Sequence, residues 1–164
     1  MLLDKNNSIN NILEENRIFP PSKEFSSKSR INKIDQLFEL TNKAKEDPIA
    51  FWKSYAESEI DWFQSFETVL NEDNAPFYEW FKEGKLNITY NCLDRHINNG
   101  LGDKTALIWE GEPGDSKSFT YKELLIQVCK ASNAFKSLGI KKGDLVCIYM
   151  PMIPEAMIAM LACA

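Results

Sequence analysis

Residues 120–150 read TYKELLIQVCKASNAFKSLGIKKGDLVCIYM, and this stretch decides the fold class. Thr120-Tyr121-Lys122-Glu123 is a capping box: the threonine satisfies an amide at a helix start while the glutamate reaches back. The helix it opens places Leu124, Val128, Ala131, Phe135 and Leu138 on one face and ends at Gly139. Lys141-Lys142-Gly143-Asp144 then turns the chain into Leu145-Val146-Cys147-Ile148-Tyr149-Met150, an unbroken apolar run of strand length. Such a run fits a strand covered on both faces, as in a parallel sheet. Pro151 stops it and Pro154-Glu155 opens another helix. The order of strand, helix, strand, helix reads as the start of an α/β fold.

Upstream, Thr105–Glu110 and Ser118–Thr120 flank the turn Gly111-Glu112-Pro113-Gly114-Asp115 and read as a hairpin. Leu86-Asn87-Ile88-Thr89-Tyr90 alternates with period two and reads as a strand. Asn91 then caps a short helix through Cys92, Leu93 and Ile97, ended by Asn98-Asn99-Gly100. The segment 35–84 reads as helical and aromatic-rich. Leu37, Phe38, Leu40 and Ala44 recur at helical steps, and Asp47-Pro48 is a second helix start. Phe51, Trp52, Tyr55 and Ala56 follow at helical spacing, and a third short helix is expected over Phe77–Lys82, stopped by Gly84. Trp52, Trp62 and Trp80 stand in this segment without the interleaved Lys and Arg of a base-stacking surface, so packing is the expected role. Residues 1–34 read as an arm, frayed at its beginning, in which Ile9, Ile12 and Leu13 make a helical turn and Ile18-Phe19 dock beside Pro20-Pro21.

The composition belongs to an ordinary globular chain: 164 residues, 44% hydrophobic and 26% charged. Nineteen Lys and Arg against 24 Asp and Glu give a net charge of −5, which supplies no general attraction to nucleic acid or to an anionic membrane. Residues 1–16 lack the apolar core of a secretory signal, and their acidic residues argue against a transit peptide. A cytoplasmic location is the expectation. Residues 145–164 have the length of a membrane span, but Pro151, Pro154 and Glu155 lie at their centre, where each is costly in hydrocarbon. The apolar end at Ala164 carries no helix-stop signal, so the sequence reads as a chain cut short.

No catalytic, cofactor-binding or metal-binding residue is assigned from residue chemistry. Cys92, Cys129, Cys147 and Cys163 form no C-x-x-C, and His96 is the single histidine, so buried, reduced thiols are expected rather than a zinc site. No glycine loop of phosphate-binding spacing occurs, and Gly111–Asp115, with its acidic residues, reads as a solvated turn. Asp94-Arg95-His96 reads as a helix-surface ion pair, and Ser116, Ser118 and Thr120 have no histidine at a nucleophile spacing.

Seven words in order carry a resemblance. Glu15-Asn-Arg-Ile-Phe-Pro-Pro-Ser22, Asp47-Pro-Ile-Ala-Phe-Trp52, Trp80-Phe-Lys-Glu-Gly-Lys-Leu-Asn-Ile88 and Asn91-Cys-Leu-Asp-Arg-His96 come first. Glu112-Pro-Gly-Asp115, Tyr121-Lys-Glu-Leu-Leu125 and Tyr149-Met-Pro-Met-Ile-Pro-Glu-Ala156 follow. Together they resemble the opening of the acetyl-CoA synthetase branch of the adenylate-forming ligases. The resemblance implies an AMP-forming ligase that uses ATP with Mg2+ to make acetyl-adenylate, then passes the acetyl group to coenzyme A. It implies an arm at 1–34, the family's N-terminal extension at 35–90, and the first βα units of an AMP-binding domain at 91–164. The partners implied are acetate, ATP, CoA and the remainder of the same polypeptide, with no nucleic acid and no membrane.

The family's phosphate loop, acetate pocket, CoA-binding arginines and late lysine all lie beyond Ala164. The resemblance therefore carries no site residue onto this chain, which by itself is expected neither to adenylate acetate nor to bind ATP, CoA or Mg2+ tightly. Two alternatives stay open: a sister ligase for propionate or a longer acid, and a stand-alone protein-interaction module built on the same scaffold.

Overall fold

The computed structural model describes residues 18–164, in two compact units, one up to Pro48 and one from Ile49 onward. The expectations placed on residues 1–17, including the helical turn at Ile9, Ile12 and Leu13, lie outside the described residues.

In the first unit Ser22 accepts a hydrogen bond from the Phe25 amide at 3.2 Å and opens α1, Lys23–Lys28. Helix α2 runs Ile34–Glu46, and the Gln36 side-chain oxygen reaches back to the Asn32 and Lys33 amides at 3.0 and 3.3 Å. The expected helical period is therefore present in α2. Neither helix buries a residue. Ile18 and Phe19 are exposed rather than docked beside the prolines, because no apolar surface of the described arm closes over them.

The second unit begins with α3, Pro48–Glu59, which opens on its proline as the sequence predicts. Ala56 is buried there, and its carbonyl accepts the Trp62 indole N–H at 2.8 Å. Trp62, Phe66 and Phe81 then meet with ring centroids 5.0–5.8 Å apart. The expectation of packing holds for this cluster. It fails for Trp52, Phe63, Phe77 and Trp80, which stay exposed.

The helix expected over Phe77–Lys82 is a strand instead. Glu79–Lys82 (β2) pairs antiparallel with Thr68–Asn71 (β1), Leu70 opposite Trp80. A six-residue apolar run does not reveal its cross-strand partner, and the partner decides its conformation. Phe81 and Glu83 take positive φ values of 50° and 67°, which no right-handed helix contains. Gly84 follows, where a Cβ would lie 2.6 Å from the Trp62 ring.

The strand expected over Leu86–Tyr90 is likewise corrected. Ile88–Cys92 is a helix, α4, and its cap is Asn87, whose side chain accepts the Tyr90 amide at 2.8 Å. Asn91 is inside the helix. The chain kinks at Leu93, resumes as the short α5, Asp94–His96, and winds through a wide turn at Ile97–Leu101.

From there the sequence reading holds. Strands β3, Thr105–Glu110, and β4, Ser116–Thr120, form an antiparallel hairpin, with Glu110 opposite Ser116 and Thr105 opposite Thr120. Helix α6, Tyr121–Ser137, carries the capping box: Glu123 accepts from the Thr120 amide at 2.8 Å, and Thr120 from the Glu123 amide at 3.2 Å. It closes where the Gly139 amide reaches the Lys136 carbonyl and the Ile140 amide that of Phe135. Gly139 has φ +89°, the left-handed cap that glycine tolerates. Leu138 turns outward past the end of the expected face.

Leu93, Leu124 and Val128 form the buried centre, with Leu107, Phe119, Ile158 and Leu161 packed against it. Helix α7, Pro154–Cys163, lies against α6. The expected strand Leu145–Met150 is extended but unpaired, since no described segment lies beside it. The architecture is therefore mixed helix and small strands. Both sheets among the described residues are two-stranded and antiparallel, and neither is the expected parallel sheet.

Candidate functional site

Two features of the second unit concentrate polar contacts and open surface. The first is α4. Its one-turn length brings Asn87, Thr89 and Asn91 to the meeting point of three segments. Asn91 is buried and mimics a peptide unit, accepting the Asp61 amide at 2.8 Å and donating to the Asp61 carbonyl at 3.0 Å. Thr89 is also buried and donates to the Leu161 carbonyl at 2.7 Å, and Asn87 donates to that of Ala164 at 2.9 Å. These two side chains fill acceptors that the end of α7 leaves open. Arg95 donates to the Asn91 side chain at 3.3 Å and to the Glu59 carbonyl, and lies 3.9 Å from the Asp61 carboxylate.

The second feature surrounds Leu145–Met150. The Trp109 indole donates to the Met152 carbonyl at 2.6 Å, and Lys117 reaches Glu155 at 4.0 Å, so the hairpin holds the entry to α7. At the other end the Lys141 amide donates to the Asp144 carboxylate at 2.7 Å, and Gly143 has φ +96°. Between these anchors the ribbon flanks an apolar groove of about 590 Å³, lined by Leu107, Trp109, Ile148, Met152, Met157 and Met160 among others. A cavity of about 540 Å³ lies at the other end, between Phe135, Lys141–Val146 and Ala162–Ala164.

The sequence candidates are scattered over these elements. The four cysteines are free, as expected, but exposed rather than buried, because each falls on the outer side of its helix or on the open ribbon. Cys92 and His96 stand on either side of the Leu93 kink, and the imidazole lies 5.0 Å from the Tyr121 ring. Among the described residues no three of His, Cys, Asp and Glu converge on a metal-sized site. Arg95 of the Asp94-Arg95-His96 triplet pairs with Asp61, a partner distant in sequence, rather than along its own helix.

Gly111–Asp115 is a tight turn closed by the Gly111 amide on the Asp115 carbonyl at 2.7 Å. Thr120 is a helix cap, and its backbone N–H, followed by its hydroxyl, holds the Glu123 carboxyl below the usual value. No described helix is long and apolar enough to cross a membrane; of residues 145–164 only 154–163 are helical.

Sequence reasoning missed the α4 junction. Its only signal is a polar residue at every second position of 87–91, which reads as a half-exposed strand until the partners of those side chains are known.

Comparison with known proteins places these elements. Residues 37–92 match the family described as Acetyl-coenzyme A synthetase N-terminus, and residues 93–164 match that described as AMP-binding enzyme. The kink at Leu93 falls where one match gives way to the other. An acetyl-coenzyme A synthetase of Campylobacter jejuni is 54% identical over 147 residues, 90% of this chain and 22% of the relative. Those of Nitrosomonas europaea and Cupriavidus taiwanensis are 47% and 45% identical over 157 residues, 96% of this chain and 24% of each relative. The chain thus spans less than a quarter of the length of the curated relatives it matches. It belongs to the acetyl-coenzyme A synthetase family and corresponds to the N-terminal region of that family's members.

Proposed function

We propose that this chain is the N-terminal region of an acetate–CoA ligase that makes acetyl-CoA from acetate, ATP and CoA through an acetyl-adenylate. The observation that supports this is the pair of consecutive matches over 37–92 and 93–164, joined to 54% identity with an acetyl-coenzyme A synthetase. In this reading 1–34 is an arm, 35–90 the family's N-terminal extension, and 91–164 the first βα units of an AMP-binding domain. Leu145–Met150 is then a strand of a larger parallel sheet. Its apolar side chains on both faces support that role.

The ligase works in the cytoplasm with magnesium, ATP and CoA. Within this region the chain's own work is structural. Asn91 and Arg95 tie the end of the extension to α4, and Thr89 with Asn87 fixes the end of α7. The described residues offer no donor set for magnesium or a triphosphate, so no chemical step is assigned to them.

The test is a chimera in which residues 1–164 replace the matching region of the C. jejuni relative. Formation of acetyl-CoA from acetate, ATP and CoA is expected, and a folded chimera without it overturns the reading. The isolated 164-residue chain is expected to catalyse no acetate-dependent exchange of pyrophosphate into ATP. Exchange above background would refute the absence of an adenylation site from this region.

A further inference from the structure

We propose that the 164-residue chain, as a separate polypeptide, docks the segment that lies C-terminal to this region in its acetyl-coenzyme A synthetase relatives, and does so by strand addition along Leu145–Met150. This rests on the family reading above and names the surface and partner it requires.

The ribbon is unlike the other apolar surface of the chain. Leu145 and Tyr149 are fully exposed on one side, while Val146, Ile148 and Met150 are about two-fifths exposed on the other. Residues 145–150 make no backbone hydrogen bond among the described residues. A helix or a small apolar molecule laid on it would cover side chains and leave the amides and carbonyls without partners. Hydrocarbon would do the same. An added strand satisfies both, since its backbone pairs with the edge while its side chains extend the two apolar faces.

The edge is also preformed. It is pinned at Lys141–Asp144 by an amide–carboxylate bond and at Met152 by the Trp109 indole, so little chain ordering remains to oppose binding. The grooves at its two ends continue the apolar surface on which the side chains of an added strand would rest.

The occupant follows from length. The match leaves 78% of the C. jejuni relative outside it (100 − 22), a polypeptide large enough to cover both faces. A second copy of this chain would pair the same ribbon with itself and leave the two-sided apolar surface as open as before.

The experiment co-expresses residues 1–164 with the post-match segment of the C. jejuni relative as two chains, so that neither must fold alone. It reads complex formation and deuterium exchange at amides 145–150. A one-to-one complex is expected in which these amides exchange at least about tenfold more slowly than in the free chain. The double variant Val146→Pro, Cys147→Pro removes two adjacent ladder donors and is expected to abolish the complex, with the circular dichroism of the free chain unchanged. Absence of a complex, a complex in which 145–150 exchange as in the free chain, or protection by self-association overturns the proposal. The single-chain chimera separates the two readings: if it makes acetyl-CoA while the separate chains do not associate, docking falls and the family reading stands.

Discussion

Thr105–Glu110 and Leu145–Met150 are both six-residue runs of strand character, yet only the first is in a sheet. Strand β3 has β4 returning beside it after a five-residue turn, and Ala106 and Leu107 lie against the buried centre. Leu145–Met150 is the more apolar of the two and has neither a ladder nor a covering layer. Apolar content makes a segment able to be a strand; a neighbour at hydrogen-bonding distance makes it one. The unit therefore holds a closed part, anchored at Leu93, and an open part whose side chains contribute little to its own stability.

The largest expected effect breaks the closed part. Leu93→Ala removes the most deeply buried large side chain and is expected to cost about 3 kcal/mol of unfolding free energy, measured by urea titration. A loss below about 1 kcal/mol would mean that the kink region is not part of the core.

Thr120→Ala comes next, at about 1 kcal/mol for a lost helix cap. Its pH dependence has a definite sign. The folded-state pKa of Glu123 is lowered, so its contribution is present above the unfolded value of 4.5 and fades as pH falls through the folded value. Thr120→Ala should therefore flatten the acid limb of a helix-content titration, and an unchanged limb would disprove the link.

The smallest effect sharpens the contrast. Tyr149→Ser, on the open ribbon, is expected to change unfolding free energy by less than about 0.5 kcal/mol while lowering the binding of a hydrophobic dye. A larger destabilisation would show that the ribbon is already packed.

The sequence revealed the elements that carry their own local signals. Helix α6 has its capping box and closing glycine, α3 and α7 have prolines at their starts, and the β3–β4 hairpin has a glycine-bearing turn between alternating runs. The misread segments depend on residues far away in the chain. Glu79–Lys82 is a strand because Thr68–Asn71 lies beside it, and Ile88–Cys92 is a helix whose polar side chains serve Asp61, Leu161 and Ala164. The same distance hid the junction at α4. Thr89 and Asn91 look like solvent-facing alternation until their partners, 72 and 30 residues away, are in place. The family words were legible because they depend on order in the sequence and not on contact.

The Thr89–Leu161 hydrogen bond also sets a clock. On the ribosome Thr89 is made 72 residues before the carbonyl it serves. At about 5–20 residues per second that is a wait of roughly 4–14 s, far longer than a helix of this size needs to form. Helix α6 and the hairpin can close during that interval, whereas α4 cannot complete its contacts until α7 has emerged. The junction between the two matched regions is therefore among the last parts of this chain to set during synthesis, although its residues are made before those of the core helices.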